Sequence, residues 1–169
     1  MKAMIFFLVL GTRLKPLTDT LPKALVPVCD KPLIEHVARK LQSAGIDEVV
    51  VNVHYFADKV EQWIESQDWI SLSRGDAGAG KMLFEISDER ELLLETGGAV
   101  LHARSFLEGC GRFLIHNVDI LSNCDIHWFE SQVKDDALAT LLVSERKTSR
   151  FLLFDHDTLR LLGRSEEHT

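Results

Sequence analysis

Short apolar runs of strand length recur along the chain, and amphipathic stretches separate most of them. The runs cover Ala3–Leu10, Glu48–Val53, Met82–Ile86, Arg112–Asn117 and Leu138–Ser144. Apolar runs of this length without strict polar alternation are typical of strands that are buried on both faces of a parallel sheet. The pattern therefore predicts a β-α-β succession and an open sheet.

Amphipathic segments between the runs predict crossover helices. Leu33–Ala44 places its apolar side chains on one face, and Gly45 follows where a helix commonly ends. Tyr55–Gln67 repeats the pattern, and a third helix is predicted at about Thr96–Leu107. Because crossovers between parallel strands are right-handed, we expect helices on both faces of the sheet. The predicted fold class is α/β, with a Rossmann-like, doubly wound sheet that is mixed but mainly parallel.

The last third of the chain has a different pattern. Leu138–Ser144, Arg150–Asp155 and Thr158–Leu162 are strand-like segments joined by short polar turns rather than by helices, which predicts an antiparallel hairpin that continues the sheet. Before this hairpin, Asp125 is predicted to cap a helix that runs to about Lys134. Six polar residues, 164–169, end the sequence.

Composition narrows the range of functions. The 169 residues are 46% hydrophobic and carry a formal net charge of -7, without a basic cluster. A chain of this length can bury a core without disulfides, and its charge argues against a nucleic-acid partner. Cys29, Cys110 and Cys124 lack metal-type spacing, which predicts reduced thiols and a cytoplasmic location. The run Ala3–Leu10 is too short to cross a bilayer, so no membrane association is expected.

A loop rich in prolines and cations follows the first predicted strand. It reads Gly11-Thr12-Arg13-Leu14-Lys15-Pro16-Leu17-Thr18 and continues with Pro22-Lys23-Ala24-Leu25-Val26-Pro27 and Lys31-Pro32-Leu33. Arginine can bind phosphate oxygens as a planar fork, and a lysine can neutralise charge that develops during phosphoryl transfer. For each residue alone, a solvated cation or a stiffening proline is the alternative. The ordered combination favours a polyphosphate site.

These segments match, in order and spacing, the opening signature of the sugar-1-phosphate nucleotidyltransferases, and the sequence resembles that family. The likeness continues in Glu95-Thr96-Gly97-Gly98, which is similar to the family's sugar-phosphate motif, and in Asn117-Val118-Asp119, which follows a buried strand as the family's Asn-Gly-Asp does. Within the family, the sequence is most similar to compact bacterial enzymes that act on N-acetylmuramate 1-phosphate or mannose 1-phosphate. The resemblance implies the nucleotide-diphospho-sugar transferase fold. It also implies transfer of a nucleoside monophosphate from a triphosphate to a sugar 1-phosphate, with release of pyrophosphate.

The resemblance also implies roles for individual residues. The implied catalytic residues are Arg13, Lys23 and Asp119, of which Asp119 would hold Mg2+. The implied nucleotide-binding residues are Leu10, Gly11, Thr12, Arg13 and Lys23. The implied sugar-phosphate-binding residues are Glu95, Thr96, Gly97 and Asn117. The implied substrates are a nucleoside triphosphate, UTP or GTP before CTP, and a sugar 1-phosphate. From the residues alone, Asp119 could also be a turn former or a helix cap.

The sequence departs from the family's pattern in two places. Phe7-Leu8-Val9-Leu10 stands where the family has small residues that include a glycine, so we expect impaired nucleotide binding by this chain. Family members also continue well beyond this length. We therefore expect residues 1–163 to form one nucleotidyltransferase domain that is C-terminally truncated, and residues 164–169 to be a non-native tail. A catalytically silent homologue with a regulatory or scaffolding role is the alternative, and the oligomeric state is left open.

Overall fold

The computed structural model of the chain describes residues 1–7, 14–72, 74–75, 80–145, 147 and 150–166, and their side chains except those of Glu95, Arg150 and Glu166. The chain divides into two compact units, Met1–Trp128 and Phe129–Thr169. The first unit holds a five-stranded sheet in which every pairing is parallel. The second unit holds a two-stranded antiparallel sheet.

The strands and helices have the following bounds. The strands are β1 (Lys2–Phe6), β2 (Pro27–Val28), β3 (Lys31–Pro32), β4 (Glu48–Val53), β5 (Ile70–Ser71), β6 (Met82–Asp88), β7 (Phe113–Asn117), β8 (Arg150–Phe154) and β9 (Leu161–Glu166). The helices are α1 (Leu33–Ser43), α2 (Ala57–Glu65), α3 (Glu95–His102), α4 (Arg104–Leu107) and α5 (Ile126–Ser131). The order in the five-stranded sheet is β5-β6-β4-β1-β7, and β2 pairs with β3 separately.

Side chains of β1 alternate between the two faces of the sheet, and each face has its own core. Ala3 and Ile5 belong to the larger core, which also contains apolar residues of α1 and α2. Met4 and Phe6 belong to the smaller core, which contains apolar residues of α3 and α4. A strand that is buried on both faces needs a layer of helices on each side. The predicted doubly wound α/β fold is therefore confirmed.

Helix α1 ends where its sequence predicts. Gly45 has a φ of 73°, in the left-handed region that glycine adopts at little cost. Its N–H donates to the oxygen of Gln42 at 2.9 Å, and the N–H of Ile46 donates to the oxygen of Leu41 at 3.0 Å. These two bonds form a Schellman motif, which satisfies carbonyls of the last turn. The motif directs the chain into β4, whose bounds are those predicted.

The run Leu138–Ser144 is not a strand, which corrects the prediction made from its apolar character. Leu138 is fully exposed, and Leu141, Leu142 and Val143 are about half exposed. A strand requires a hydrogen-bonded neighbour, and within the described residues no strand pairs with this run. Apolar character alone therefore does not define a strand.

The predicted hairpin is present, but two of its features differ from the prediction. Strands β8 and β9 are antiparallel, yet they form a sheet of their own rather than continuing the five-stranded sheet. β9 begins at Leu161 instead of Thr158, because Asp155 Oδ1 accepts hydrogen bonds from the N–H groups of Asp157 and Thr158 at 3.2 and 2.8 Å. Such side-chain bonds hold the backbone in a turn.

Three helices and the first strand also differ in extent from the predictions. The helix predicted at Tyr55–Gln67 corresponds to the shorter α2. The helix predicted at about Thr96–Leu107 is divided at Ala103 into α3 and α4. Asp125 caps α5 as predicted, because its Oδ1 accepts from the N–H groups of His127 and Trp128 at 2.8 and 3.1 Å, but α5 ends at Ser131. β1 ends at Phe6, and residues 8–10 of the predicted strand lie outside the described residues. Among the described residues, none of the helices has the length and apolar character that a membrane span requires.

Candidate functional site

Two predicted catalytic side chains meet at the carboxyl edge of the five-stranded sheet. Lys23 opens a short 3-10 turn after β1, and Asp119 follows β7, 96 positions later. The Nζ atom of Lys23 donates a hydrogen bond to Oδ2 of Asp119. The side chain of Lys23 is 9% exposed, whereas that of Asp119 is 33% exposed. The fold therefore holds a nearly enclosed cation against an acid that reaches solvent; we call the two residues the lysine–aspartate pair.

Local backbone contacts position both members of the pair. The 3-10 turn is closed by the N–H of Leu25, which donates to the oxygen of Pro22 at 2.8 Å, and it is anchored by the buried side chain of Ala24. On the other side, the N–H of Val118 donates to the oxygen of Phe6 at 3.0 Å and extends the contact between β1 and β7. Because Val118 is buried in the larger core, the next residue lies at the rim of the sheet.

A cavity of about 330 Å³ opens beside Lys23. This volume falls within the usual range for ligand pockets, and the walls are mainly apolar and aromatic, which suits a flat ring. The apolar walls are Phe7, Leu21, Pro22, Ala24, Val53, Tyr55, Phe56, Val60 and Leu93. The polar walls are Thr18, Lys23, Asn52 and His54.

Phe7 is the first of the four bulky residues at which the sequence departs from the family pattern, and it lines this cavity. Its side chain also packs against the larger core. Its backbone N–H donates to Oδ1 of Asn52 at 3.1 Å, so the end of β1 is tied to β4 through a side chain. An aromatic ring thus occupies space at the cavity where the family has a small residue; Leu8, Val9 and Leu10 lie outside the described residues.

A second polar group of residues lies where β4 and β6 end. It consists of Asn52, His54, Ser87 and Glu89, and we call it the β4–β6 cluster. Asn52 is directly opposite Ser87 in the pairing of the two strands. Asn52, Ser87 and Glu89 are exposed by only 2%, 1% and 2%. Within the described residues, no hydrogen bond of good geometry reaches Ser87 Oγ or the carboxylate oxygens of Glu89, although the Asn52 side chain and the Leu94 backbone lie close enough to Glu89 to lower its pKa.

Burial raises the pKa of the Glu89 carboxyl, because a charged carboxylate loses its hydration inside the protein. The Asn52 side chain, the Leu94 backbone and the His102 and His54 rings lie near enough to act in the opposite direction, but burial dominates. On β7, burial likewise lowers the pKa of His116, whose Nδ1 lies 2.8 Å from the oxygen of Asn117. The two pKa shifts have the same cause, because Glu89 and His116 both lie in poorly hydrated surroundings near the carboxyl edge of the sheet.

The predicted sugar-phosphate residues lie on two elements. Asn117 ends β7 with an exposed side chain, and Thr96 and Gly97 are exposed in the first turn of α3. A Cβ atom added to Gly97 would meet no described atom within 4 Å, so packing against the described residues does not require glycine there. In the part of the chain that the structure describes, no hydrogen bond or ion pair joins Thr96 or Gly97 to the lysine–aspartate pair.

The remaining predicted site residues cannot be placed in this geometry. Leu10, Gly11, Thr12 and Arg13 lie outside the described residues, as does the side chain of Glu95. Their assigned roles stay predictions.

Sequence reasoning missed the residues that wall the cavity at β4. Asn52 and His54 stand on either side of Val53, at the end of an otherwise apolar strand. Polar residues at the carboxyl end of a buried parallel strand lie where α/β proteins bind ligands, and this signal could have identified both. Glu89 follows β6 in the same way.

An open parallel sheet with an ion pair and a cavity at its carboxyl edge is typical of α/β proteins that bind ligands at that edge. Residues 6–153 match the sequence profile of the nucleotidyl transferase family. The chain belongs to this family, as its motifs predict.

Curated relatives share the same region of sequence. The N-acetylmuramate alpha-1-phosphate uridylyltransferase of Caulobacter vibrioides is 44% identical over 117 residues, which cover 69% of this chain and 45% of that protein. The protein of the same name from Neisseria meningitidis is 36% identical over 125 residues, which cover 74% of this chain and 49% of that protein. The mannose-1-phosphate guanylyltransferase catalytic subunit beta of Xenopus tropicalis is 33% identical over 134 residues, 79% of this chain and 34% of that protein. The chain thus spans half or less of the length of these relatives.

Solved structures support the fold. HddC from Yersinia pseudotuberculosis, solved in complex with GMP-PN, is 25% identical to the chain with a TM-score of 0.63, over 79% of this chain and 54% of that one. A second HddC structure is 21% identical with a TM-score of 0.70, over 98% of this chain and 68% of that one, which shows the fold alone. The predicted nucleotide-diphospho-sugar transferase fold is confirmed.

Proposed function

We propose that this chain supports transfer of a nucleoside monophosphate from a nucleoside triphosphate to a sugar 1-phosphate. An oxygen of the sugar phosphate attacks the α-phosphorus, the bond between that phosphorus and the bridging oxygen breaks, and pyrophosphate leaves. The observation that carries the proposal is the lysine–aspartate pair beside a ligand-sized cavity at the carboxyl edge of the sheet. The cytoplasmic location forms part of the proposal and is supported by the free cysteines Cys29, Cys110 and Cys124.

Lys23 provides positive charge at the reacting centre. Negative charge on the transferring phosphoryl group is stabilised best by a cation that is fixed in place and shielded from water. Lys23 fits this role, because its side chain is nearly enclosed and Asp119 orients its ammonium group. Arg13 is proposed to hold the departing pyrophosphate, with Gly11 and Thr12 presenting backbone and hydroxyl groups to the phosphates and Leu10 beside the nucleotide.

Asp119 is the proposed Mg2+ ligand. Its carboxylate bonds to Lys23 through Oδ2 and is one third exposed, so an oxygen ligand is available toward solvent. Within the described residues there is no group of three or more side chains that could hold a metal. A single carboxylate fits Mg2+, which commonly keeps several waters and binds substrate phosphates as further ligands. When bound, the ion would neutralise phosphate charge and help to orient the triphosphate.

The proposed donors are UTP or GTP, and the proposed acceptors are phosphorylated sugars. Support comes from the names of the relatives, which include uridylyltransferases and a guanylyltransferase for N-acetylmuramate and mannose phosphates. Thr96, Gly97 and Asn117 are exposed and can contact a sugar phosphate. Among the described side chains, none caps the first turn of α3, where Glu95, Thr96 and Gly97 lie, so its N–H groups can meet phosphate oxygens.

A catalytically silent homologue is the second candidate. The observation that favours it is Phe7, whose ring lines the cavity beside Lys23 where the family has a small residue. An aromatic ring there competes with a nucleotide for the same space. The fold and the lysine–aspartate pair would then serve a regulatory or scaffolding role.

The two candidates are separated by assays of pyrophosphate release. The chain is incubated with Mg2+, with UTP, GTP or CTP, and with the 1-phosphates of N-acetylmuramate, mannose or glucose. A triple variant, Phe7→Ala, Leu8→Ala and Val9→Gly, restores the small residues, and Phe151→Ala is the matched control on an exposed phenylalanine. We expect release with one nucleotide and sugar pair, and a higher rate in the triple variant only. No release by either protein contradicts the proposed transfer and supports the silent homologue.

A further inference from the structure

His54 forms part of the cavity wall, and none of the roles proposed above uses it. The residue follows β4, and its Nδ1 lies against the backbone oxygen of Glu89. A carbonyl oxygen can only accept, so Nδ1 carries the hydrogen and donates it. In the neutral ring the lone pair is then on Nε2, which becomes a hydrogen-bond acceptor.

Neighbouring groups fix the ring in this orientation. The N–H of Glu89 donates to the oxygen of Val53 at 2.8 Å, and the N–H of Leu92 donates to the oxygen of Glu89 at 3.1 Å. The backbone oxygen of Glu89, which accepts the hydrogen bond from Nδ1, is therefore held in place by contacts with β4 and with the turn that follows Glu89. Tyr55 packs edge-on against the histidine, with the ring centroids 4.4 Å apart and the planes at 83°. An acceptor that is oriented before the ligand arrives loses little freedom on binding.

Other polar groups of the cavity are already bonded within the protein. Lys23 donates to Asp119, and Oδ1 of Asn52 accepts from the N–H of Phe7. In the described part of the chain, Nε2 of His54 has no hydrogen-bond partner. Because His54 lines the cavity, a ring that enters between the apolar walls can reach this histidine, whose Nε2 has no partner among the described residues.

We infer that His54 is a specificity-determining residue, which accepts a hydrogen bond at Nε2 from a donor group of the bound nucleotide. The inference rests on the proposed function, since it names what the same cavity recognises. The donor is a ring N–H of uracil or guanine, or a ribose hydroxyl. The aromatic walls at Tyr55, Phe56 and Phe7 favour the base, because flat rings pack well against aromatic side chains.

The tautomer can be measured without any enzymatic activity. Two-bond ¹H–¹⁵N spectra of protein labelled at histidine distinguish ring nitrogens with and without a hydrogen, and His54→Phe identifies the resonances. We expect a hydrogen on Nδ1 and none on Nε2 in the free, neutral protein. Addition of UTP or GTP with Mg2+ is expected to shift the Nε2 resonance toward that of a hydrogen-bonded acceptor. A hydrogen on Nε2 in the free protein overturns the inference.

Binding measurements test the consequence. His54→Phe keeps a ring in the wall but removes the acceptor, and we expect about tenfold weaker binding of UTP or GTP, the usual size for one hydrogen bond. Affinity for inorganic pyrophosphate is expected to stay the same. His54→Gln retains an acceptor and is expected to bind more tightly than His54→Phe. The matched control is His127→Phe, which alters an exposed histidine at the start of α5.

Modified nucleotides identify the donor group. If the base donates, N3-methyl-UTP binds the wild type about tenfold more weakly than UTP, and His54→Phe does not distinguish the two. If the ribose donates, 2′-deoxy-UTP or 3′-deoxy-UTP shows this pattern instead. Equal UTP and GTP binding by wild type and His54→Phe overturns the inference and leaves the proposed function intact. Failure of both the wild type and the triple variant to bind any triphosphate overturns both.

Discussion

The carboxyl edge of the five-stranded sheet carries two polar groups of residues whose hydrogen bonds are satisfied to different degrees. In the lysine–aspartate pair, cation and acid compensate each other within the protein. In the β4–β6 cluster, Ser87 and Glu89 are exposed by only 1% and 2%, and among the described residues their side-chain oxygens make no hydrogen bond of good geometry. An unpaired buried polar group destabilises a protein by about 1–3 kcal/mol. The pair is therefore stable without a ligand, whereas the cluster keeps polar atoms at the sheet edge at the expense of stability, as functional sites commonly do.

Breaking the lysine–aspartate pair is expected to have the largest effect. Lys23→Met and Asp119→Asn should each lower the rate of pyrophosphate release by at least about 100-fold, because each removes a fixed charge at the reacting centre. Their effects on stability should differ. Asp119→Asn leaves a nearly enclosed cation without its counter-ion. We expect it to destabilise the protein by about 1–3 kcal/mol, which is less than the cost of breaking a fully buried pair. Lys23→Met leaves an acid that water reaches and should cost under about 1 kcal/mol.

Denaturant titrations and initial rates check both parts of this expectation. Lys81→Met is the control, because Lys81 is exposed before β6, at the opposite edge of the parallel sheet. Equal losses of stability in Lys23→Met and Asp119→Asn would show that the two ends of the pair are not differently solvated.

Asn52→Ala tests the member of the β4–β6 cluster whose side chain accepts a hydrogen bond from the N–H of Phe7. The change removes Oδ1 and leaves the N–H of Phe7 without its partner, which is expected to cost about 1–3 kcal/mol. For a chain of this size, each kcal/mol lowers Tm by about 2–4 °C. Thermal unfolding measures the shift, and Asn123→Ala, at an exposed asparagine, serves as the control. An unchanged Tm in Asn52→Ala would mean that the end of β1 is held by other contacts.

Glu89→Gln tests the buried carboxyl of the β4–β6 cluster and is expected to stabilise the protein. Because the folded-state pKa of Glu89 is raised, its carboxyl favours folding below its unfolded pKa and loses this contribution as pH rises through the folded value. Glutamine does not titrate. We therefore expect the variant to exceed the wild type in Tm at alkaline pH, by an amount that shrinks as the pH falls and is almost nothing at about pH 3.5.

Thermal melts across this pH range measure the difference, with Glu65→Gln as a control on an exposed acid of α2. A gain that does not depend on pH would exclude the ionisation of Glu89 as its cause.

Local signals predicted the elements that depend on local bonds. The bounds of β4 and the end of α1 follow from an apolar run and from Gly45, whose hydrogen bonds reach back only a few residues. The cap at Asp125 is of the same kind. Leu138–Ser144 shows the limit, because an apolar run says nothing about whether a neighbouring strand exists. The parallel sheet was predictable because strand-like and helix-like segments alternate along the sequence, which is typical of βαβ units.

Contacts between distant residues were not predictable from the pattern. Asn52 and Phe7 are 45 positions apart, and nothing in the sequence near either residue indicates the other. The same holds for His54 and Glu89, 35 positions apart. Family resemblance placed Lys23 and Asp119 in one site because it carries information about such contacts.

The separation of Lys23 and Asp119 also has a consequence for folding kinetics. Closing a loop of 96 residues costs about 4 kcal/mol of chain entropy, which an ion pair at the rim of the sheet does not offset. The pair therefore forms only after β1 and β7 have come together. Substitutions at either residue should accelerate unfolding while leaving the folding rate nearly unchanged. A folding intermediate in which β7 has not yet paired with β1 therefore lacks the contact between Lys23 and Asp119.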